Sequence, residues 1–240
     1  DARSRLVLVC ATLQLGLVTA QMIDPPAPPP QAIDIQPTGQ AGVVRVGTFA
    51  SMRAALQDST NRVIRLGAGL YACETTLNIA RDVTLIGETP GIVFLDGMDT
   101  DYQTDQPHSD PSCNSCSTGR PIMKIGFGNV ELIGLTFQFG CNVEPTGAGG
   151  SLLGVGTIGH DTNDARANVT MTDCKLHWGW GCYTSGCIYF NGQTLTLNRV
   201  NITNNNANHG AALLVNTGQV LVKDSYINRN EAGRLLAASR

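Results

Sequence analysis

Apolar and polar residues alternate along this chain in short runs, and the runs recur at a fixed distance. Val169-Thr-Met-Thr-Asp-Cys-Lys-Leu176, Leu195-Thr-Leu-Asn-Arg-Val-Asn-Ile202 and Val220-Leu-Val-Lys-Asp-Ser-Tyr-Ile227 share one pattern. Each is apolar at its first, third and eighth places and small or apolar at its sixth. The step is 26 residues from Val169 to Leu195 and 25 from Leu195 to Val220. A fourth copy begins at Val130, as Val-Glu-Leu-Ile-Gly-Leu-Thr-Phe137. Alternation within a copy is the strand period, in which every second side chain faces one side. A fixed period above twenty residues predicts stacked repeats that bury their apolar faces against one another.

The pattern extends in both directions. Val83, Val130, Val169, Leu195 and Val220 mark one predicted column of strands. Leu152-Leu153, Ile188-Tyr-Phe190 and Leu213-Leu-Val215 mark a second. Steps of 47 residues from Val83 to Val130 and 39 from Val130 to Val169 exceed the period. The excess is expected in loops, at 97–121 and at 141–150 or 159–167. One helix is predicted over 48–57. Thr48 or Ser51 caps it, and Phe49, Met52, Ala55 and Leu56 share a face. Asn205 and Asn230 each lie three residues after an isoleucine of the pattern, which predicts a structural Asn ladder along the stack. Asp173, Arg199 and Asp224 share another position, read as a surface charge ladder.

The stretch VIRLGAGLYACETTLNIARDVTLIGETPGIVFLDG, residues 63–97, resembles the opening of the pectin-lyase-like superfamily. The resemblance covers 43–240. It implies an all-β fold, a right-handed parallel β-helix (β-solenoid) with the short helix capping its N-terminal end. A second resemblance, of ITNNNANHGAALLV at 202–215, is to repeats of bacterial polymorphic outer-membrane proteins. His209-Gly210-Ala211 departs there from the double glycine usual in those repeats.

Upstream of the repeats, residues 1–20 read as a secretory signal: basic residues, an apolar run, then Val18-Thr-Ala20. A docked strand is the competing reading, since Ala11, Leu13, Leu15 and Leu17 alternate with polar or small residues. Residues 21–42 form a Pro-rich linker, with five prolines between Pro25 and Pro30 favouring polyproline II. A docking or hydroxylated, O-glycosylated segment is the alternative for those prolines. No cap-like sequence follows Ile227, so the domain at 43–240 is expected to be truncated at its C-terminal side.

Composition narrows the function. Formal charge is −3, with 16 Lys and Arg scattered along the chain, so no basic stripe offers itself to nucleic acid. Eight cysteines and the sequons at Asn168 and Asn201 suggest a secreted, extracellular or cell-surface glycoprotein. Cys113 and Cys116 form a CxxC, and Cys182 and Cys187 flank a short segment. All four are disulfide candidates, with the pairing open. Cys174 falls on an inward position and reads as a buried thiol.

The catalytic motifs of the resembling superfamily are missing. No Asp-Asp pair occurs to serve as acid and base, His209-Gly210 follows Asn208 rather than glycine, and no Arg-Ile-Lys exists. The carboxylate-rich loop at 96–110 lacks the spacing of a calcium loop and reads as solvated. The sequence therefore assigns no catalytic residue, no metal and no cofactor. His177, Trp178, Trp180 and Tyr183 are the candidates for contact with carbohydrate or a partner, because flat rings with a polar edge stack on sugars. The competing role is to cover the core at a bend. The expected function is a non-catalytic scaffold or matrix protein that binds glycan or neighbouring subunits, as a homo-oligomer or filament. The alternatives are a polysaccharide-degrading enzyme with an unfamiliar site and an adhesin passenger domain.

Overall fold

A computed structural model describes residues 36–37, 40–98, 119–143, 149–156, 166–181 and 185–232. These residues are mostly strand, with one helix, and the strands collect into sheets of ten, six and four. Pairing is parallel throughout except at one edge, where Gln36–Pro37 runs antiparallel to Val43–Val46. The inward columns are in register. Val83 pairs with Val130, Val130 with Val169, Val169 with Leu195 and Leu195 with Val220. The first four are buried, and their stacking fills the space between sheets. A second inward column runs through the six-stranded sheet as Tyr71, Leu95, Phe137, Leu176 and Ile202, all fully buried.

The expected right-handed parallel β-helix is corrected by this topology. The described strands form three separate parallel sheets, and no uniform right-handed winding emerges from their pairing. The ten-stranded sheet branches: the 11-residue strand Met123–Ile133 pairs with Leu77–Ala80, Val83–Gly87, Leu153–Val155 and Arg166–Thr172. The physical reason lies in unequal repeats. In one repeat the chain breaks at Arg81-Asp82 into two short strands, whereas Met123–Ile133 runs through with an irregularity between the partners of Ile79 and Ala80. Periodicity dictates which residues stack; it does not dictate the hand or continuity of the path between them.

The helix Phe49–Gln57 follows Val43–Val46. Thr48 and Ser51 cap it reciprocally, with Ser51 N donating to Thr48 Oγ1 at 3.1 Å and Thr48 N donating to Ser51 Oγ at 3.0 Å. Met52 and Ala55 are buried, and Phe49 and Leu56 pack against the core. Arg81 closes the other end, donating to the carbonyls of Leu56 and Ala55 at 3.2 and 3.3 Å.

Turns between sheets are stacked as strictly as strands. Asp173, Arg199 and Asp224 are all left-handed, at φ 55°, 53° and 48°. Phe139, Trp178, Asn204 and Arg229 repeat this at the next corner, at φ 54°, 60°, 56° and 52°. The residues that follow carry the ladder. Asn205 Nδ2 donates to Asn230 Oδ1 at 2.8 Å, and Gly179 N donates to Asn205 Oδ1 at 2.8 Å. Asn205 is buried and also satisfies the carbonyls of Leu176 and Thr203. Replacing Asn205 by alanine strands several buried groups and is expected to cost about 2–3 kcal/mol. Asn230→Ala, at a half-exposed position, should cost about 1 kcal/mol or less by the same reasoning. Urea denaturation of both variants checks the order; equal losses would count against the ladder.

Candidate functional site

The aromatic cluster is divided by the fold. Trp180 begins the two-residue strand Trp180–Gly181, pairs with Cys141 and Asn206, and is only 7% exposed. Glycines flank it for a packing reason: a Cβ at Gly179 would strike the Gly186 carbonyl, and one at Gly181 the Ser185 carbonyl. Trp180 is thus a packing residue. Trp178 is half-buried in its left-handed turn, with its ring 6.2 Å from that of His177. Tyr183 lies outside the described residues.

His177 ends the strand Lys175–His177 on the outward side of the six-stranded sheet, between Gln138 and Thr203. Its Nε2 is buried and makes no hydrogen bond. Burial, and then the Lys175 charge, push its pKa down to about 4, so the imidazole is neutral at pH 7. Further along the same column, Gln138 Nε2 donates to Asp96 Oδ2 at 2.8 Å. Burial raises the Asp96 pKa against the pull of that bond.

Other outward carboxylates are also engaged. Asp173 takes a two-pronged contact from Arg199, at 2.7 and 2.8 Å, which lowers its pKa. Both partners are well exposed, so the pair adds little stability. Glu88 holds Arg45 at 2.7 Å, and Glu131 accepts from Thr84 Oγ1 at 3.2 Å. Asp82 Oδ1 accepts from Asn129 N at 2.7 Å.

The two sequons differ. Asn168 lies within Arg166–Thr172, and its Nδ2 donates to Asn129 Oδ1 at 3.1 Å and Gln193 Oε1 at 3.3 Å. An N-glycan attaches to that nitrogen and would disrupt the bridge. Asn201 is exposed at the start of Asn201–Thr203. Protein made through a secretory pathway is therefore expected to carry glycan at Asn201 and not at Asn168. Mass spectrometry of the sequon peptides checks this, and full occupancy of Asn168 in folded protein would contradict it.

Among the cysteine candidates, Cys187 is a free, fully buried thiol, which corrects its expected place in a disulfide. Burial raises its pKa well above the ordinary thiol value. Cys113, Cys116 and Cys182 lie outside the described residues. Cys174 is a buried free thiol, as its inward position implies, with its pKa pushed up to about 11 by burial. Cys141 is disulfide-bonded, which sequence spacing did not single out. Among the described residues no group of three or more His, Cys, Asp or Glu side chains is placed to hold a metal ion. No helix among them is long and apolar enough to cross a membrane.

Sequence reasoning also missed a surface. Thr170 and Thr172 on Arg166–Thr172 pair with Thr196 and Asn198 on Ile188–Asn198, and Asn168 pairs with Thr194. Alternation with the buried Val169, Met171, Leu195 and Leu197 turns all six outward, where the five with side chains free of the Asn168 bridge are half-exposed. The signal was present as the alternating Val-Thr-Met-Thr and Leu-Thr-Leu-Asn, read only for its apolar half.

Comparison of the chain with protein-family models, curated proteins and solved structures finds no match, and nothing in it identifies the pectin-lyase-like superfamily.

Proposed function

We propose that this protein is a non-catalytic extracellular scaffold that binds glycan on the outward faces of its sheets. One observation supports this reading above the rest: several outward carboxylates and amides are spent on each other in ladders that cross the strands. Asp82, Asn129, Asn168 and Gln193 form one such ladder, and Asp173 with Arg199 another. A carboxylate committed in this way is a poor acid or base, since its partner must be displaced before a proton moves. A rigid flat face instead suits adhesion, because little entropy is lost on binding. The test is paired: retention of the protein on insoluble polysaccharides, and release of reducing ends from the same samples. Retention without release supports the scaffold. Release abolished by a single Asp or His substitution would establish an enzyme.

Self-association is a second reading, favoured by the strands of residues 213–232. Val215, Val222 and Ile227 occupy inward columns yet are 40%, 45% and 45% exposed. Among the described residues, Leu213–Lys223, Tyr226–Asn228 and Glu231–Ala232 each pair with a strand on one side only. Sedimentation at rising concentration, with Val222→Lys as comparison, tests whether copies meet there. A monomer throughout would remove this reading.

A further inference from the structure

We infer that the glycan is a neutral, extended polysaccharide, and that it is bound by the threonine lattice on the ten-stranded sheet rather than by the His177–Trp178 corner. This rests on the glycan-binding reading above and specifies its surface and ligand class. Thr170, Thr172, Thr194 and Thr196 stand on two adjacent strands in register, Thr170 directly beside Thr196. Adjacent strands are about 4.8 Å apart, and alternate residues along a strand about 6.6 Å apart. The four threonines therefore form a staggered array, with Thr172 beside Asn198 and Thr194 beside Asn168. None of them makes a side-chain hydrogen bond within the protein, although the ladder residues around them do.

Threonine presents a hydroxyl that both donates and accepts, next to a methyl group. A sugar ring presents the same combination, hydroxyls at its rim and C–H groups on its face. Regular spacing on the protein matches a regular polymer better than a single small ligand. Charge selects the neutral class. Glu131 pairs directly beside Thr170 and would repel a uronate, whereas the cation Lys223 stands a strand further out, beside Asn198.

The His177 corner is the weaker alternative. Its free nitrogen is buried, so a ligand reaches it only if the groups covering it move.

The deciding experiment is a pull-down of the full chain on microcrystalline cellulose and, separately, on calcium-gelled polygalacturonate. Three proteins are compared: the parent, Thr170→Val with Thr196→Val, and Trp178→Ala. Valine conserves volume and strand preference, so the double variant should stay folded, and circular dichroism verifies it. The parent and Trp178→Ala are expected to bind cellulose alike, with the double variant weakened by about tenfold, from the loss of two hydroxyl contacts. Cellulose binding that survives in the double variant but fails in Trp178→Ala would overturn the lattice and leave the glycan reading standing. Preference for polygalacturonate would overturn the neutral class alone. Retention on neither matrix would overturn the glycan reading itself.

Discussion

Phe137→Ala is expected to destabilise the protein by about 3–5 kcal/mol, the largest loss of any change considered. Phe137 is fully buried and stacks between Leu95 and Leu176 in the six-stranded sheet. Truncation removes most of a ring and leaves a cavity lined by its neighbours in the same column. Those neighbours cannot close in, because each is pinned by its own strand pairing. The next residue, Gln138, is half-exposed on the opposite side, so the loss also loosens the support of the Asp96–Gln138–His177 column. Urea unfolding should show a lower midpoint with an unchanged slope. Phe127→Ala is the control: that ring is 54% exposed, and its loss should stay within about 0.5 kcal/mol. Similar costs at both positions would mean that the inward column is not the core.

The second large effect depends on pH. The folded-state pKa of His177 is about 4, below the ordinary value of 6.5, chiefly through burial and secondarily through Lys175. In the unfolded chain the imidazole takes up its proton first as pH falls. The stabilisation associated with neutral His177 is therefore complete above about pH 6.5 and is lost progressively down to about pH 4. The full effect is about 3 kcal/mol. Carboxylates titrate near the lower end of the same window. Asp96 has a raised folded pKa and so opposes the trend there, gaining relative stability as it is protonated. The informative quantity is thus the difference between the parent and His177→Gln, which has no imidazole to charge. That difference should change by about 2–3 kcal/mol between pH 7 and pH 4, in favour of the variant at low pH. A constant difference would mean that His177 reaches water or an acceptor in its charged form.

Much of the packing was legible in the sequence. The spacing of Val83, Val130, Val169, Leu195 and Val220 identifies residues that pair strand to strand. Asn205 and Asn230 could be placed together from their shared offset, and they bond. The helix and its capping pair were readable from Thr48, Ser51 and one apolar face. The path of the chain was not. A repeat length reports which side chains stack, and the branching at Met123–Ile133 arises from how each repeat is divided into strands, which periodicity leaves open. Trp180 carried two readings, a contact surface and a cover over the core; it is 7% exposed, and its flanking glycines admit the carbonyls of Ser185 and Gly186. Cys187 looked like half of a disulfide by spacing, but it is a fully buried free thiol just before the strand Ile188–Asn198. The threonine grid escaped notice because each strand alone holds only two of its hydroxyls. It exists only once the register of neighbouring strands is known.

The most direct measurement for the central claim is a threonine-methyl NMR titration with a soluble neutral cello-oligosaccharide. The account predicts shifts confined to Thr170, Thr172, Thr194 and Thr196, with no release of shorter sugars. Shifts centred instead on Thr203, which neighbours His177, or cleavage of the oligosaccharide, would contradict it.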